Sequence, residues 1–166
     1  MDILKLGMPE LRQKALPVSR ITPDYELLAQ NMLDTLHKYK GAGLAGPQVG
    51  VLERIYVIHL ERDKPLVFIN PSITETSPDT CLCEEGCLSI PGFWGDITRP
   101  KTVRVQAWNE KGRPFTLEAS GLLARVIQHE YDHLEGVLYI DHLSQVKRER
   151  LVSKYERLNK TGAKRK

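Results

Sequence analysis

No run of apolar residues in this 166-residue chain approaches the ~18 that a membrane-spanning helix requires. Residues 1–7 lack a basic segment followed by a long apolar stretch, so no secretory signal is expected. Cysteine is scarce: Cys81, Cys83 and Cys87 are the three present, an odd number clustered too tightly for a disulfide framework. Their Cys-x-Cys-x-x-x-Cys spacing also lacks the Cys-x-x-Cys of zinc ribbons and thioredoxin-like sites. There is no internal repeat, low-complexity block or linker. With 41% apolar and 27% charged residues, the composition excludes a disordered or membrane-spanning class. The expectation is one domain over 1–166, soluble and cytoplasmic, with no membrane partner.

Net charge is small but uneven. Residues 147–166 carry nine Lys or Arg against two acidic residues, a net of +7, whereas the preceding chain has 15 basic and 19 acidic residues, a net of −4. A basic tail on a neutral-to-acidic body invites a polyanionic partner; a solvated helix end would look the same.

Periodicity outlines an α+β chain. Thr22 and Pro23 read as the cap and first position of a helix carrying Leu28, Met32, Leu36 and Tyr39 at helical spacing, with Gly41 stopping it and His37 at its surface. Residues 41–50 hold four glycines and are read as irregular. They lack the Gly-Lys-Ser/Thr ending of a phosphate loop. Runs 54–60 and 66–69 read as paired strands around a charged turn at 61–64, with Asn70 and Pro71 ending the second. Residues 101–108 alternate and turn at 109–112 into 115–119, a hairpin. A helix over 122–134, a short strand-like run at 137–140 and a last helix over 144–159, with Leu151, Tyr155 and Leu158 on one face, complete the chain. Helices segregated from antiparallel sheets, not alternating βαβ units, define the class.

Within the helix over 122–134 lies His129-Glu130-Tyr131-Asp132-His133. Four residues on a helix turn through about 400°, so the two imidazoles leave one face about 40° apart and can take adjacent positions on one metal ion. Glu130 projects nearby and can handle the proton of an activated water, as in His-Glu-x-x-His hydrolases. An exposed helix with merely solvated side chains could carry the same pentapeptide. A hydrolytic site needs a third ligand. Tyr139 stands where a metzincin would place histidine; Glu149 and Glu156 are conceivable downstream carboxylates; Cys87, in Glu85-Gly86-Cys87-Leu88-Ser89, is an upstream thiolate candidate.

Together these segments resemble the peptide deformylases. That family is marked by Gly-x-Gly-x-Ala-Ala-x-Gln, Glu-Gly-Cys-x-Ser and His-Glu-x-x-His, here Gly41-Ala42-Gly43-Leu44-Ala45-Gly46-Pro47-Gln48, Glu85-Gly86-Cys87-Leu88-Ser89 and His129-Glu130-Tyr131-Asp132-His133, in that order. Gly46 departs from the usual second alanine. The resemblance implies that Cys87, His129 and His133 bind one divalent metal, ferrous iron in the cell, with zinc, nickel or cobalt able to substitute. It implies Glu130 as general base and then proton donor, and Gln48 with the Leu88 backbone N–H as oxyanion donors. The substrate would be the N-formylmethionyl end of a nascent peptide, which would lose formate. Its backbone would run along Gly43, Leu44 and Gly86, and its side chain would enter a pocket formed by Leu88, Val126 and Ile127 and bordered by Ala42 and Arg125, with Cys83 in its lining. Cys81 and Cys83 match no ligand position. Glu85 and Arg99 are expected to pair and hold the cysteine loop. The basic tail would meet ribosomal RNA. A metallopeptidase, or a non-catalytic metal- or RNA-binding module, is the alternative.

Overall fold

The structure is a computed structural model that describes residues 1–60 and 63–163, and the side chains of 1–60 and 63–159. Glu61 and Arg62 of the expected charged turn, and Lys164, Arg165 and Lys166 of the basic tail, lie outside the described residues.

Strands β1 (Gly43–Ala45), β2 (Ile55–Ile58), β3 (Leu66–Thr76), β6 (Thr102–Trp108) and β7 (Pro114–Ser120) form one antiparallel sheet in the order β1-β2-β3-β6-β7. Strands β4 (Thr80–Cys87) and β5 (Ile90–Pro100) form a separate hairpin. Helices α1 (Asp24–Lys38), α2 (Gly121–Leu134) and α3 (Gln145–Ala163) complete the fold, none of the described helices being long and apolar enough to cross a membrane.

The sequence Ile-Tyr-Val-Ile of β2 is apolar throughout because both faces of its sheet are covered. Tyr56 and Ile58 pack with Phe68 and the α2 residues Ala124, Val126 and Ile127; Ile55 and Val57 pack with the α1 residues Met32, Leu33 and Leu36. A third cluster joins Ile90 and Ile97 of β5 to Leu138, Tyr139 and Ile140 and to Tyr155 of α3. Each such buried side chain contributes about 1.5–3 kcal/mol relative to exposure.

Several boundaries differ from the expectation. Residues 43–45 are a strand, since Gly43 and Leu44 align with Ile58 and Val57 of β2. Strand β3 does not end at Asn70: that residue takes a left-handed φ of 49°, its side-chain amide pairs with both backbone groups of Val18 at 2.8 Å, and the strand resumes after a bulge. The run 137–140 is not a strand; Tyr139–His142 form a 3-10 turn. Helix α1 starts at Asp24, and the Thr22 hydroxyl donates to the Asp24 carboxylate instead of capping a backbone N–H. On α3, Tyr155 is buried and Leu151 half-buried, but Leu158 is 53% exposed. Strand β4 had no clear strand signal, because Cys-Leu-Cys-Glu-Glu-Gly carries neither β-branched residues nor apolar alternation, and in β5 Pro91, Gly92 and Gly95 interrupt the strand-forming residues.

Helix α2 ends where Gly136 adopts a φ of 73° and packs so closely that a Cβ there would meet the Arg12 carbonyl oxygen at 2.6 Å. Gly136→Ala combines backbone strain with a clash against main chain. It is expected to lower the unfolding free energy by about 2–4 kcal/mol. A fall in the urea midpoint checks this; an unchanged midpoint would show that the N-terminal arm moves aside freely.

Candidate metal centre

His129 and His133 lie one turn apart on α2, and their ring centroids are 5.1 Å apart. Cys87 is the last residue of β4, where the hairpin turns. The Cys87 thiol and one nitrogen from each ring lie within 4.8 Å of one another. Cys87 Sγ is 3.3 Å from His133 Nε2 and accepts the Ser89 N–H and a Gln48 side-chain N–H, each at 3.4 Å. Burial raises a thiol's pKa, but the two imidazoles outweigh it and hold Cys87 well below the usual range, toward the thiolate that ligates metals.

His129 Nδ1 lies 3.0 Å from Glu85 Oε2. A carboxylate only accepts, so Nδ1 carries the proton and Nε2 is the free donor. Glu85 is buried and also takes Arg99 through Nε at 2.6 Å and Nη2 at 3.0 Å, and Arg125 Nη1 at 2.6 Å. Burial opposes ionisation, but His129 and Arg99 outweigh it and bring the Glu85 carboxyl down to about 2. The expected Glu85–Arg99 pair is therefore present, and bidentate. Arg99 continues to Asp132 at 2.8 Å, and Asp132 to His142 at 2.8 Å.

Glu130 is 3% exposed, lines the cleft, and its Oε2 has no hydrogen-bond partner among the described residues. Burial pushes its carboxyl up to about 7, against the pull of His129 and His133. Gly43 lets it approach: a Cβ at Gly43 would be 2.4 Å from Glu130 Oε1. Gln48 is buried, its Oε1 accepting the Ala45 N–H at 2.8 Å and its Nε2 donating also to Ser89 Oγ at 3.2 Å, so its amide group is turned toward Cys87. Leu88 lines the cleft, and its carbonyl accepts Lys5 Nζ at 2.7 Å, which fixes the plane of the following peptide.

The cleft is bordered by residues 40–43, Gln48, 84–88, 90–94, Leu122, Arg125, Val126, His129 and Glu130. Gly43, Gly86, Leu88, Val126, Ala42 and Arg125 thus meet there as expected. Leu44 does not line the cleft: its backbone pairs with Val57 of β2 and its side chain is buried toward α1. Ile127 is also wholly buried, in the core beneath α2, and Cys83 is exposed outside the cleft lining, so neither forms the pocket wall assigned to it. Glu149 bonds Gln145 on α3, and neither it nor Glu156 joins the ligand cluster. The sequence reading missed Lys5 and the Arg125–Glu85 contact. Lys5 is 83 residues from Leu88, and no local pattern links them. Arg125 was visible as a charge on an apolar helix face, a signal of a buried partner.

The sequence pattern described as polypeptide deformylase matches residues 1–149. The chain belongs to the polypeptide deformylase family. It is 44% identical to the peptide deformylase of Alkalilimnicola ehrlichii, the match covering 98% of this chain and 92% of that one. It is 43% identical to that of Cellvibrio japonicus, covering 98% and 97%. Among solved structures it is similar to the Synechococcus elongatus peptide deformylase in complex with actinonin, with a TM-score of 0.89, 46% identity, and 94% and 86% coverage. It is also similar to the Legionella pneumophila peptide deformylase, with a TM-score of 0.92, 37% identity, and 99% and 98% coverage. The α+β architecture is that of these deformylases, and the chain is accordingly a hydrolase.

The donor set fits a single divalent ion: one thiolate and two imidazoles converge, one imidazole already oriented by a carboxylate. Glu85→Gln keeps the shape but leaves Arg99 and Arg125 without their shared anion. Metal affinity is expected to fall by about 10–100-fold. Competition with a chromogenic chelator reads it, and unchanged affinity would show that Glu85 does not orient His129.

Proposed function

We propose that this chain removes the formyl group from N-formylmethionyl ends of new polypeptides by hydrolysis, releasing formate, with one divalent ion held by Cys87, His129 and His133. The observation that carries the reading is the convergence of those three donors beside a cleft that Cys87 and His129 line together with the buried carboxylate of Glu130, His133 being buried. Family membership supplies the reaction class. Mixed thiolate and imidazole donors suit iron(II), zinc, cobalt or nickel, and iron(II) is the ion we assign in the cell.

When bound, the ion supplies Lewis acidity to water and to the formyl oxygen. Everything else falls to the chain. Glu130, its carboxyl near neutrality and its Oε2 free, accepts the proton of the attacking water and returns it to the leaving nitrogen. Gln48 Nε2, exchanging its long N–H contact to Cys87 for the substrate while keeping Ser89, and the Leu88 N–H donate to the oxygen that gains charge, each such donor contributing about 3 kcal/mol.

Substrate alignment follows from the sheet edge. The Ala42 carbonyl accepts the His59 N–H at 3.0 Å, so antiparallel alternation turns the backbone of Leu44 toward β2 and that of Gly43 toward the open edge. An extended peptide can add there as a further strand, between Gly43 and the Gly86 side of the cleft. Leu88, Val126, Ala42 and the methylenes of Arg125 then border the methionine side chain.

The basic end fits a polyanionic partner. Tyr155 and Leu151 dock α3, while Lys147, Arg148, Arg150 and Lys154 stay exposed. We assign this surface to ribosomal RNA, where phosphate contacts give salt-dependent affinity near emerging chains, in the cytoplasm. A peptidase acting on internal bonds is less well supported, since the carboxylates considered as its third ligand lie on α3, outside the cluster.

Glu130→Gln tests the assignment. The shape is kept but the proton acceptor is lost, so formyl-Met-Ala turnover is expected to fall by about 10²–10⁴-fold with one metal still bound per chain. Near-normal turnover would place the base elsewhere.

A further inference from the structure

Cys81 and Cys83 take no part in the centre, yet side chains alternate along a strand and so place them on the same face of β4 as Glu85. Both are free thiols; Cys81 is partly exposed and Cys83 is exposed. Arg125 crosses from α2 and donates through Nη2 to Cys81 Sγ at 3.2 Å and to the Cys81 carbonyl at 2.8 Å. Its other terminal nitrogen is held by Glu85 Oε1 at 2.6 Å and by the Ile97 carbonyl at 3.0 Å. The cation therefore cannot swing away from the sulfur. A fixed guanidinium on a thiol favours the thiolate, and the hydrogen bond from Arg125 holds Cys81 below the usual thiol range.

An accessible thiolate beside a second accessible thiol is the arrangement that hydroperoxides oxidise. We propose that Cys81 and Cys83 form a peroxide-oxidisable dithiol, in which Cys81 attacks the peroxide and Cys83 resolves it. The Cys81 thiolate attacks one peroxide oxygen of ROOH. A sulfur–oxygen bond forms, the oxygen–oxygen bond breaks, and RO⁻ leaves to take a solvent proton and become ROH. Two electrons pass from sulfur to peroxide, leaving Cys81 as a sulfenic acid. The Cys83 sulfur then attacks Cys81 Sγ; a disulfide forms as the sulfur–oxygen bond breaks, and the hydroxyl departs as water with the Cys83 proton. The balance is two thiols and ROOH in, one disulfide, ROH and water out.

Neighbours on one strand face have Cα atoms about 6.7 Å apart, from two rises of ~3.3–3.4 Å. That is near the upper limit of about 6.8 Å for a disulfide, whose Cβ atoms must also close to about 3.5–4.5 Å, so the strand bends at Leu82 as the bond forms. The bond therefore forms under strain and yields readily to a monothiol such as glutathione, a reversible modification.

The zinc-loaded enzyme is the material for the test, since zinc does not itself react with peroxide. It is treated with hydrogen peroxide, blocked with N-ethylmaleimide, and cut after Glu84 and Glu85 to separate the pair from Cys87. The expected product is a segment that has lost two hydrogens and carries no maleimide on Cys81 or Cys83, restored by glutathione. In Cys83→Ser, dimedone is expected to label Cys81; in Cys81→Ser, Cys83 is expected to stay unlabelled. Arg125→Met is expected to slow Cys81 labelling by about tenfold through loss of thiolate, and Arg125→Lys to slow it less. Equal labelling of Cys83 in Cys81→Ser, or oxidation of Cys87 ahead of the pair, would overturn the proposal.

Discussion

The fold around the centre depends on one buried carboxylate. Glu85 receives Nε and Nη2 of Arg99, one nitrogen of Arg125 and the Nδ1 proton of His129, so it ties β4 to β5 and to α2 at one point. Cys87 follows two residues on, past a register shift at Gly86 and Cys87, and fixing Glu85 anchors the strand end that carries this thiol near the helix with both histidines. Burying two guanidiniums and a carboxylate is costly unless every charge is matched, and removing one member of such a group typically costs about 3–5 kcal/mol. Here the cost is offset by position: the same bonds that satisfy the charges set the tautomer of His129 and the separation of the donors.

Around that hub, the remaining groups are held from far along the chain. Lys5 holds the Leu88 carbonyl, and Gln48 reaches from β1's following turn to Cys87 and Ser89. Gly43 leaves room for the Glu130 carboxylate and, on its other side, an unpaired strand edge. Donors, proton acceptor and a peptide-sized edge thus converge although they come from the N-terminal arm, the sheet edge, the hairpin and α2. None of these elements carries the chemistry alone.

Much of this was legible from the residues. The period of α2 and the His129–His133 spacing follow from helix geometry, and the β6–β7 hairpin follows from alternation around its turn. Arg99 as partner of Glu85 followed from the need to hold a ligating loop. Strand β4 was not legible, because its charged and thiol side chains are held by partners on α2 and across the hairpin, while the apolar residues of β5 that pack into the core are interrupted by Pro91, Gly92 and Gly95. The continuation of β3 beyond Asn70 was hidden by a bulge that depends on Val18, 52 residues away. Ile127 was misplaced for a simpler reason: an apolar side chain next to a site residue on a helix often faces the core, and only the packing decides which.

The most direct test of the account is formate release from formyl-Met-Ala by the metal-loaded chain, set beside acetyl-Met-Ala and an internal peptide bond in a blocked peptide. The account predicts formate in proportion to bound metal, with cleavage of neither comparison substrate. Absence of formate release by fully loaded protein, or faster cleavage of the internal bond, would contradict it.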